Sequence, residues 1–275
     1  MQAQNWIPLN GVDELRCASH LRAKFDDRAR IAVFGSFLGG YHVLRELLYS
    51  ELANRVKVVG VATDDPTQSF TNPKGRLWKY PHTQDDETLV RRFAAAHDIP
   101  AFTGKVKSPE FHALMREDWR PDLVLMATYG QKIPNHIITL PRLGFFNFHH
   151  SGPTWPSYPG PDPIAAMVSD GRNDLVLTMH KVTDVIDGGE FVTRSHRVAI
   201  PEGVNAIQMH RITWPQMGDF IRRAVSHVLD SDPVEKSDSA WIMQEEAVEY
   251  FVVASKTGQI RARQSGGHFM AELRA

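Results

Sequence analysis

Cysteine is almost absent. Cys17 is the only one, so an intrachain disulfide and a metal site made of cysteines alone are both excluded. Long apolar runs are missing too: no stretch reaches the ~18 apolar residues of a membrane-spanning helix. Asp13, Glu14, Arg16 and Arg22 interrupt the N-terminal region as a secretory signal would not. A cytoplasmic protein is expected. Neither sign of charge is in excess. The formal net charge of −1 gives no electrostatic reason to expect a polyanionic partner, which disfavours nucleic acid as the principal ligand. The first glycine-bearing turn, Gly35-Ser36-Phe37-Leu38-Gly39-Gly40, lacks the Gly-x-Gly-x-x-Gly spacing, and Asp64 comes late for the acidic residue that closes the second strand of a dinucleotide fold. A nicotinamide cofactor is therefore not expected. His149 and His150 are adjacent and project to opposite faces of a strand, and with His82 and His180 they make no familiar ligand spacing, so no metal is expected either.

What the sequence does contain is an alternation of apolar runs and helical stripes. Arg30 to Gly35 reads as a strand, followed by a glycine turn over Ser36 to Gly40 and a helix through Val43 to Leu48. Val56 to Thr63 is a second strand, rich in β-branched residues. Asp85 or Asp86 is placed to cap a helix that runs to His97, with Leu89, Val90, Phe93 and Ala94 as its apolar stripe. Ile99 to Phe102 reads as extended, Pro109 to Glu117 as helical, Pro121 to Ala127 as a buried strand and Ile137 to Pro141 as a helical turn. Further on, a helix is expected over Ile164 to Asp170, strands over Val176 to His180 and Glu190 to Arg194, and a long helix over Asn205 to Asp230, interrupted near Pro215. Strands alternating with helices predict an α/β fold, a mostly parallel sheet flanked by helices and Rossmann-like in character. Residues 1–30 read as an N-terminal arm, 31–231 as the catalytic domain, and 232–275 as a linker and a C-terminal β-hairpin extension. In that hairpin, Ala247 to Ala254 and Gln259 to Arg263 are joined by Ser255 to Gly258. An exposed apolar hairpin is a liability, so it is expected to pack on the main domain or to pair with a second copy as a homodimer.

One stretch carries polar chemistry that structure alone would not require. Gly144-Phe145-Phe146-Asn147-Phe148-His149 is a short apolar strand with Asn147 and His149 at i and i+2, hence on one face. A Pro/Gly-rich loop follows, containing Ser151, Trp155, Pro156, Tyr158, Gly160 and Pro163, and Asp187-Gly188-Gly189 lies further along. In open α/β sheets, ligands gather at the carboxyl ends of the strands.

These ordered residues, Asn147, His149, Ser151, Pro156, Tyr158, Gly160, Pro163 and Asp187, resemble the signature of the folate-dependent formyltransferases. The resemblance covers about residues 30 to 230. It implies 10-formyltetrahydrofolate as donor, with Asn147, His149 and Asp187 as the catalytic set. Asn147 would donate to the oxyanion, His149 would donate or shuttle protons, and Asp187 would orient the imidazole. It also implies a pterin pocket formed by Met126, Tyr129, Gly130, Gln131, Lys132 and Ile133 on one side, and by Val182, Thr183 and Asp184 on the other. Ser36, Trp155 and Tyr158 are candidates for contact with the acceptor. Trp155 reads equally as a loop anchor.

The loop after His149 is longer than the family's usual one and lacks its arginine, which directs attention to the acceptor. Small-molecule amines, amino-sugar nucleotides or N-hydroxyornithine, are expected. The short chain after residue 230 argues against methionyl-tRNA. Glycinamide ribonucleotide formylation stays open, as does a formyltetrahydrofolate deformylase, whose Asn-x-His-His-Ser run is similar to Asn147 to Ser151.

Overall fold

Ile31, Ala32, Val33 and Phe34 are completely buried because their strand, β1 (Ala29–Gly35), has a partner on each edge and helices over each face. The computed structural model describes residues 27–68 and 79–231, together with the backbone of three strands at 250–254, 260–264 and 270–273. β1 lies parallel to β2 (Val56–Ala62) and to β4 (Leu123–Ala127). β3 (Ala101–Phe102) extends the sheet beyond β2, and β5 (Gly144–Ser151) runs parallel to β4. The chain thus moves outward from β1 to β3 and returns to start the other half at β4, so the strand order reverses between β1 and β4. That reversal opens a crevice at the carboxyl edge. β6 (Asp174–Lys181) then pairs antiparallel with β5, and β7 (Phe191–Arg194) and β8 (Val198–Ala199) pair antiparallel with β6.

Alternation along the strands divides the core into two layers. Ile31, Val33, Leu125, Phe146 and Phe148 pack beneath α1 (Phe37–Tyr49), α6 (Ala206–Thr213) and α7 (Gly218–Asp230). On the other face Phe34 meets Phe111, Tyr129 and Phe145 edge-on, with ring centroids 5.6, 5.5 and 5.1 Å away. α3 (Pro109–Ala113) and α4 (Asn135–Ile138) cover this second layer, whereas α2 (Gln84–Ala95) and α5 (Pro163–Ser169) add Val90, Ala94, Ile164 and Met167 to the first. The mostly parallel α/β sheet expected from the pattern is present.

Several local expectations are corrected. The glycine turn is in fact the first turn of α1, which begins at Phe37. Gly35 and Gly40 lie so close that a Cβ on Gly35 would fall 2.5 Å from the Gly40 Cα. Thr83, rather than Asp85 or Asp86, caps α2: its hydroxyl accepts from the Asp86 N–H, and the Asp86 carboxylate accepts from the Thr83 N–H at 2.8 Å. This reciprocal box satisfies two otherwise orphaned donors. The helix from Pro109 leaves α-geometry after Ala113 and continues as a π-helical segment, Leu114–Trp119. The long C-terminal helix is two, α6 and α7, separated by a 3-10 turn at Trp214–Gln216, where Pro215 has no N–H to continue the ladder.

β9 (Tyr250–Ala254) and β10 (Ile260–Gln264) pair antiparallel, with Ile260 opposite Ala254. A third strand, β11 (Met270–Leu273), pairs with β10, and β9 meets β8 in parallel at Val198 and Tyr250. Of the expected arm over residues 1–30, 1–26 lie outside the described residues and Ala29 and Arg30 already belong to β1; of the expected linker and extension over 232–275, 232–249 lie outside them.

Candidate active site

The register of β5 creates the site. Met126 and Ala127, the last residues of β4, lie beside Asn147 and Phe148, so His149, His150 and Ser151 project past the edge of the parallel sheet with only β6 beside them. Because β6 runs antiparallel, it brings His180 opposite Asn147 and Thr178 opposite His149. The loop after β6 carries Asp187 back over this corner.

Asp187 ties the corner together. Its Oδ1 accepts from Asn147 Nδ2 at 3.2 Å, and its Oδ2 accepts from the Gly160 N–H at 2.8 Å. His149 Nδ1 stands 3.7 Å from Oδ2, and His180 Nε2 stands 3.5 Å from Oδ1. Burial pushes the carboxyl upward, but the His180 hydrogen bond, the positive charge that His149 can carry and the Gly160 N–H outweigh it and bring its pKa down to about 2. Asp187 and Tyr158 both hold left-handed backbone, φ 48° and 53°, a conformation that costs a non-glycine residue energy and persists where surrounding structure imposes it.

The hydrogen bonds also settle the ring tautomers. His149 Nε2–H donates to the Tyr158 carbonyl at 3.0 Å, so a neutral His149 keeps its lone pair on Nδ1, the nitrogen nearest Asp187. His180 Nδ1–H donates to the Lys181 carbonyl at 2.9 Å, and its Nε2, 3.3 Å from Asn147 Nδ2 and 3.5 Å from Asp187 Oδ1, accepts from the amide when the ring is neutral and donates to the carboxylate when it is protonated. Asn147, His149 and His180 are all buried. Trp155 stacks on His180 with centroids 4.5 Å apart and 30° between planes, and its Nε1–H donates to the Gly189 carbonyl at 3.2 Å.

A cavity of about 300 Å³ opens here, within the range of small-ligand sites. Asn147, His149 and Asp187 share its wall with Met126, Tyr129, Gly130, Gln131, Lys132, Ile133, Val182 and Thr183. Asp184 is not in that wall. Gln131 contributes differently from expectation: its Oε1 accepts from the Val106 N–H at 3.1 Å, and its Nε2 donates to the Gly104 carbonyl and the Tyr129 hydroxyl at 2.9 and 3.1 Å. It clamps one loop to another. Ser36 does not line the cavity. Its hydroxyl donates to Asp64 Oδ2 at 3.1 Å and accepts from the Asp64 N–H at 2.9 Å in a buried knot at the head of α1. Trp155 and Tyr158 also stand behind the wall, the first supporting His180 and the second holding His149 through its carbonyl. Sequence reasoning missed the role of His180, which has no local signal, and held Gly160 only as a member of the signature, without its bond to Asp187.

Gly188 and Gly189 let the Asp187 loop fold tightly against β6. A Cβ on Gly189 would fall 1.9 Å from the Lys181 carbonyl oxygen, which is fixed backbone. Gly189→Ala is therefore expected to destabilise the protein by about 1–3 kcal/mol, read as a fall of several degrees in the thermal midpoint. An unchanged midpoint would mean the loop is not held as described.

Known proteins resemble this chain in sequence and in fold. A family model described as formyl transferase matches residues 29–213. The methionyl-tRNA formyltransferase of Syntrophomonas wolfei is 23% identical over 201 residues, which are 73% of this chain and 60% of that protein. That of Thermotoga maritima is 28% identical over 153 residues, 56% of this chain and 45% of that protein. The chain thus spans about half the length of the curated relatives it matches. Among solved structures, phosphoribosylglycinamide formyltransferase from Bacillus halodurans aligns with TM-score 0.54 and 20% identity, covering 74% of this chain and 96% of that one. A formyltetrahydrofolate deformylase from Pseudomonas syringae aligns with TM-score 0.55 and 18% identity, covering 82% and 72%. At such identities the likeness is one of fold.

Proposed function

Since the chain belongs to the formyl transferase family, whose model spans residues 29–213, we propose that it transfers a formyl group from 10-formyltetrahydrofolate to the nitrogen of a small-molecule amine, an amino-sugar nucleotide or an N-hydroxyornithine-like amino acid. The observation that carries this reading is the convergence of Asn147, His149 and Asp187 on one cavity wall. The donor's pterin suits the walls formed by 126–133 and 182–187. Val185 and Ile186 stand 62% and 58% exposed beside it, and a planar ring would cover them.

The chemistry follows from the hydrogen bonds. The acceptor nitrogen attacks the formyl carbon, and the carbonyl electrons move onto oxygen. Asn147 Nδ2 donates to that oxyanion, exchanging its bond to His180 for one that exists only as charge develops. His149 Nδ1 takes the proton that the attacking nitrogen loses, and Asp187 beside it favours the imidazolium so formed. On collapse the bond between the formyl carbon and N10 breaks, its electron pair goes to N10, and His149 returns the proton there. Tetrahydrofolate and the N-formyl amine are the products.

The Asn147-Phe148-His149-His150-Ser151 run favours a second reading, hydrolysis of the donor by water. A site shaped for an amine positions water poorly, and positioning supplies much of the rate of a two-substrate reaction. Tetrahydrofolate release should therefore be slow alone and rise by about 10² or more with the right amine, with the formyl group found by mass on that amine. Rapid release without an amine, with formate as product, would put a deformylase in its place.

A further inference from the structure

Among the described residues, two carboxylates border the cavity, Asp187 and Asp162. The first is taken up by Asn147, Gly160 and the two imidazoles. The second has no part in the transfer step. It stands two positions after Gly160, whose N–H holds Asp187, and two residues span at most about 7 Å, so a molecule placed at the reacting corner has this carboxylate within reach.

Asp162 precedes α5 and caps it, its Oδ1 accepting from the Ala165 N–H at 3.2 Å. Its Oδ2 accepts from the Tyr80 hydroxyl at 2.7 Å and from Lys79 Nζ at 2.8 Å. The same Nζ stands 5.1 Å from the centre of the Tyr80 ring, close enough for the ring to attract a cation. A carboxylate beside an aromatic face is an arrangement that holds alkylammonium groups. Here it already holds one, the end of the Lys79 side chain. The hydrogen bond to Asp162 raises Lys79 above the usual lysine range, so this carboxylate stabilises a cation placed beside it.

Capping alone does not call for the charge. Asparagine and serine cap a helix as well as aspartate does. Nor does the ion pair, because the Lys79 side chain is 43% exposed and such pairs contribute little to stability. The side chain of Asp162 keeps 15% of its surface open. Three hydrogen bonds leave part of a carboxylate's accepting capacity, about four sites, unused.

We propose that Asp162 is a specificity-determining residue: it binds a positively charged group that the acceptor carries besides the nitrogen to be formylated, and Lys79 is the internal cation with which that group competes. The proposal rests on the reading of the cavity as a formyl-transfer site. It assigns a charge at one place beside the reacting nitrogen, whatever skeleton carries it.

Rates of tetrahydrofolate release from 10-formyltetrahydrofolate by the full chain test it. The probes are the diamines from ethylenediamine to cadaverine, each set against the monoamine of the same length, with γ-aminobutyrate as the anionic counterpart of butylamine. At least one diamine should exceed its monoamine in kcat/KM by about tenfold, the usual worth of a hydrogen-bonded charge, and γ-aminobutyrate should fall below butylamine. Asp162→Asn keeps a capping side chain and should abolish the preference for the diamine. Lys79→Met removes the competing cation and should increase it. A purely structural Asp162 would change all amines alike and leave their ratio where it was. No preference for any diamine in the wild type, a preference that survives Asp162→Asn or shrinks in Lys79→Met, or no release with any of these amines while tetrahydrofolate binds, would each overturn the proposal. The formyl-transfer reading fails by a different result, namely no binding of tetrahydrofolate or rapid formate release without an amine.

Discussion

Replacing His149 by alanine is expected to lower kcat for formyl transfer by about 10²- to 10⁴-fold, the usual contribution of a positioned general acid–base. The geometry explains why no neighbour can substitute. His149 Nε2 is committed to the Tyr158 carbonyl at 3.0 Å, which turns Nδ1 toward Asp187. His180 has the reverse arrangement, with Nδ1 committed to the Lys181 carbonyl and Nε2 placed between Asn147 and Asp187. It also lies beneath Trp155. The removed ring is buried but sits at the strand's overhanging end, so the fold should persist. Turnover measured beside circular dichroism and thermal denaturation decides the matter. A folded His149→Ala protein with near wild-type kcat would show that the proton leaves by another route.

Asp187→Asn is expected to cost about 10²- to 10³-fold in kcat, because the amide cannot favour a cationic His149 and presents a donor where the carboxylate presented an acceptor. Gly160 N–H and Asn147 Nδ2 both donate to that carboxylate, at 2.8 and 3.2 Å, so the variant must turn an N–H toward one of them. The same group sets a stability signature. The folded pKa of Asp187 is brought down from 3.8 to about 2. A depressed carboxyl stabilises the fold above its unfolded pKa and loses that contribution as pH falls through the folded one. The contribution is thus full above about pH 5, fades between about pH 4 and pH 2, and amounts to about 2 kcal/mol at neutral pH. Denaturant midpoints should therefore converge between wild type and Asp187→Asn over that acid window. Parallel curves through it would show that Asp187 is not held charged by its neighbours.

Much of this site was visible as a pattern. Asn147 and His149 share a face because side chains alternate along any strand, and the strands of the parallel sheet were legible because burial on both faces demands unbroken apolar runs such as Ile31 to Phe34 and Leu123 to Ala127. Ser36 was misjudged for an equally physical reason. A serine after a glycine at a strand end suits a ligand or a local partner equally well, and the partner here, Asp64, lies 28 positions on and meets it only once β1 and β2 are aligned. Gln131 reads as a ligand contact from its place after β4, but its amide is spent on Gly104 and Val106.

By itself, then, the sequence determined the sheet, the helices that cover it, and the strand face on which Asn147 and His149 stand. Those properties follow from periodicities within single segments. Only the tertiary structure decided that His180 supports Asn147, that Gly160 binds Asp187, and that Asp162 meets Tyr80 and Lys79. Each of these depends on a register or a loop closure between distant segments. A one-residue slip of β6 against β5 would leave every local pattern intact and turn His180 to the opposite face.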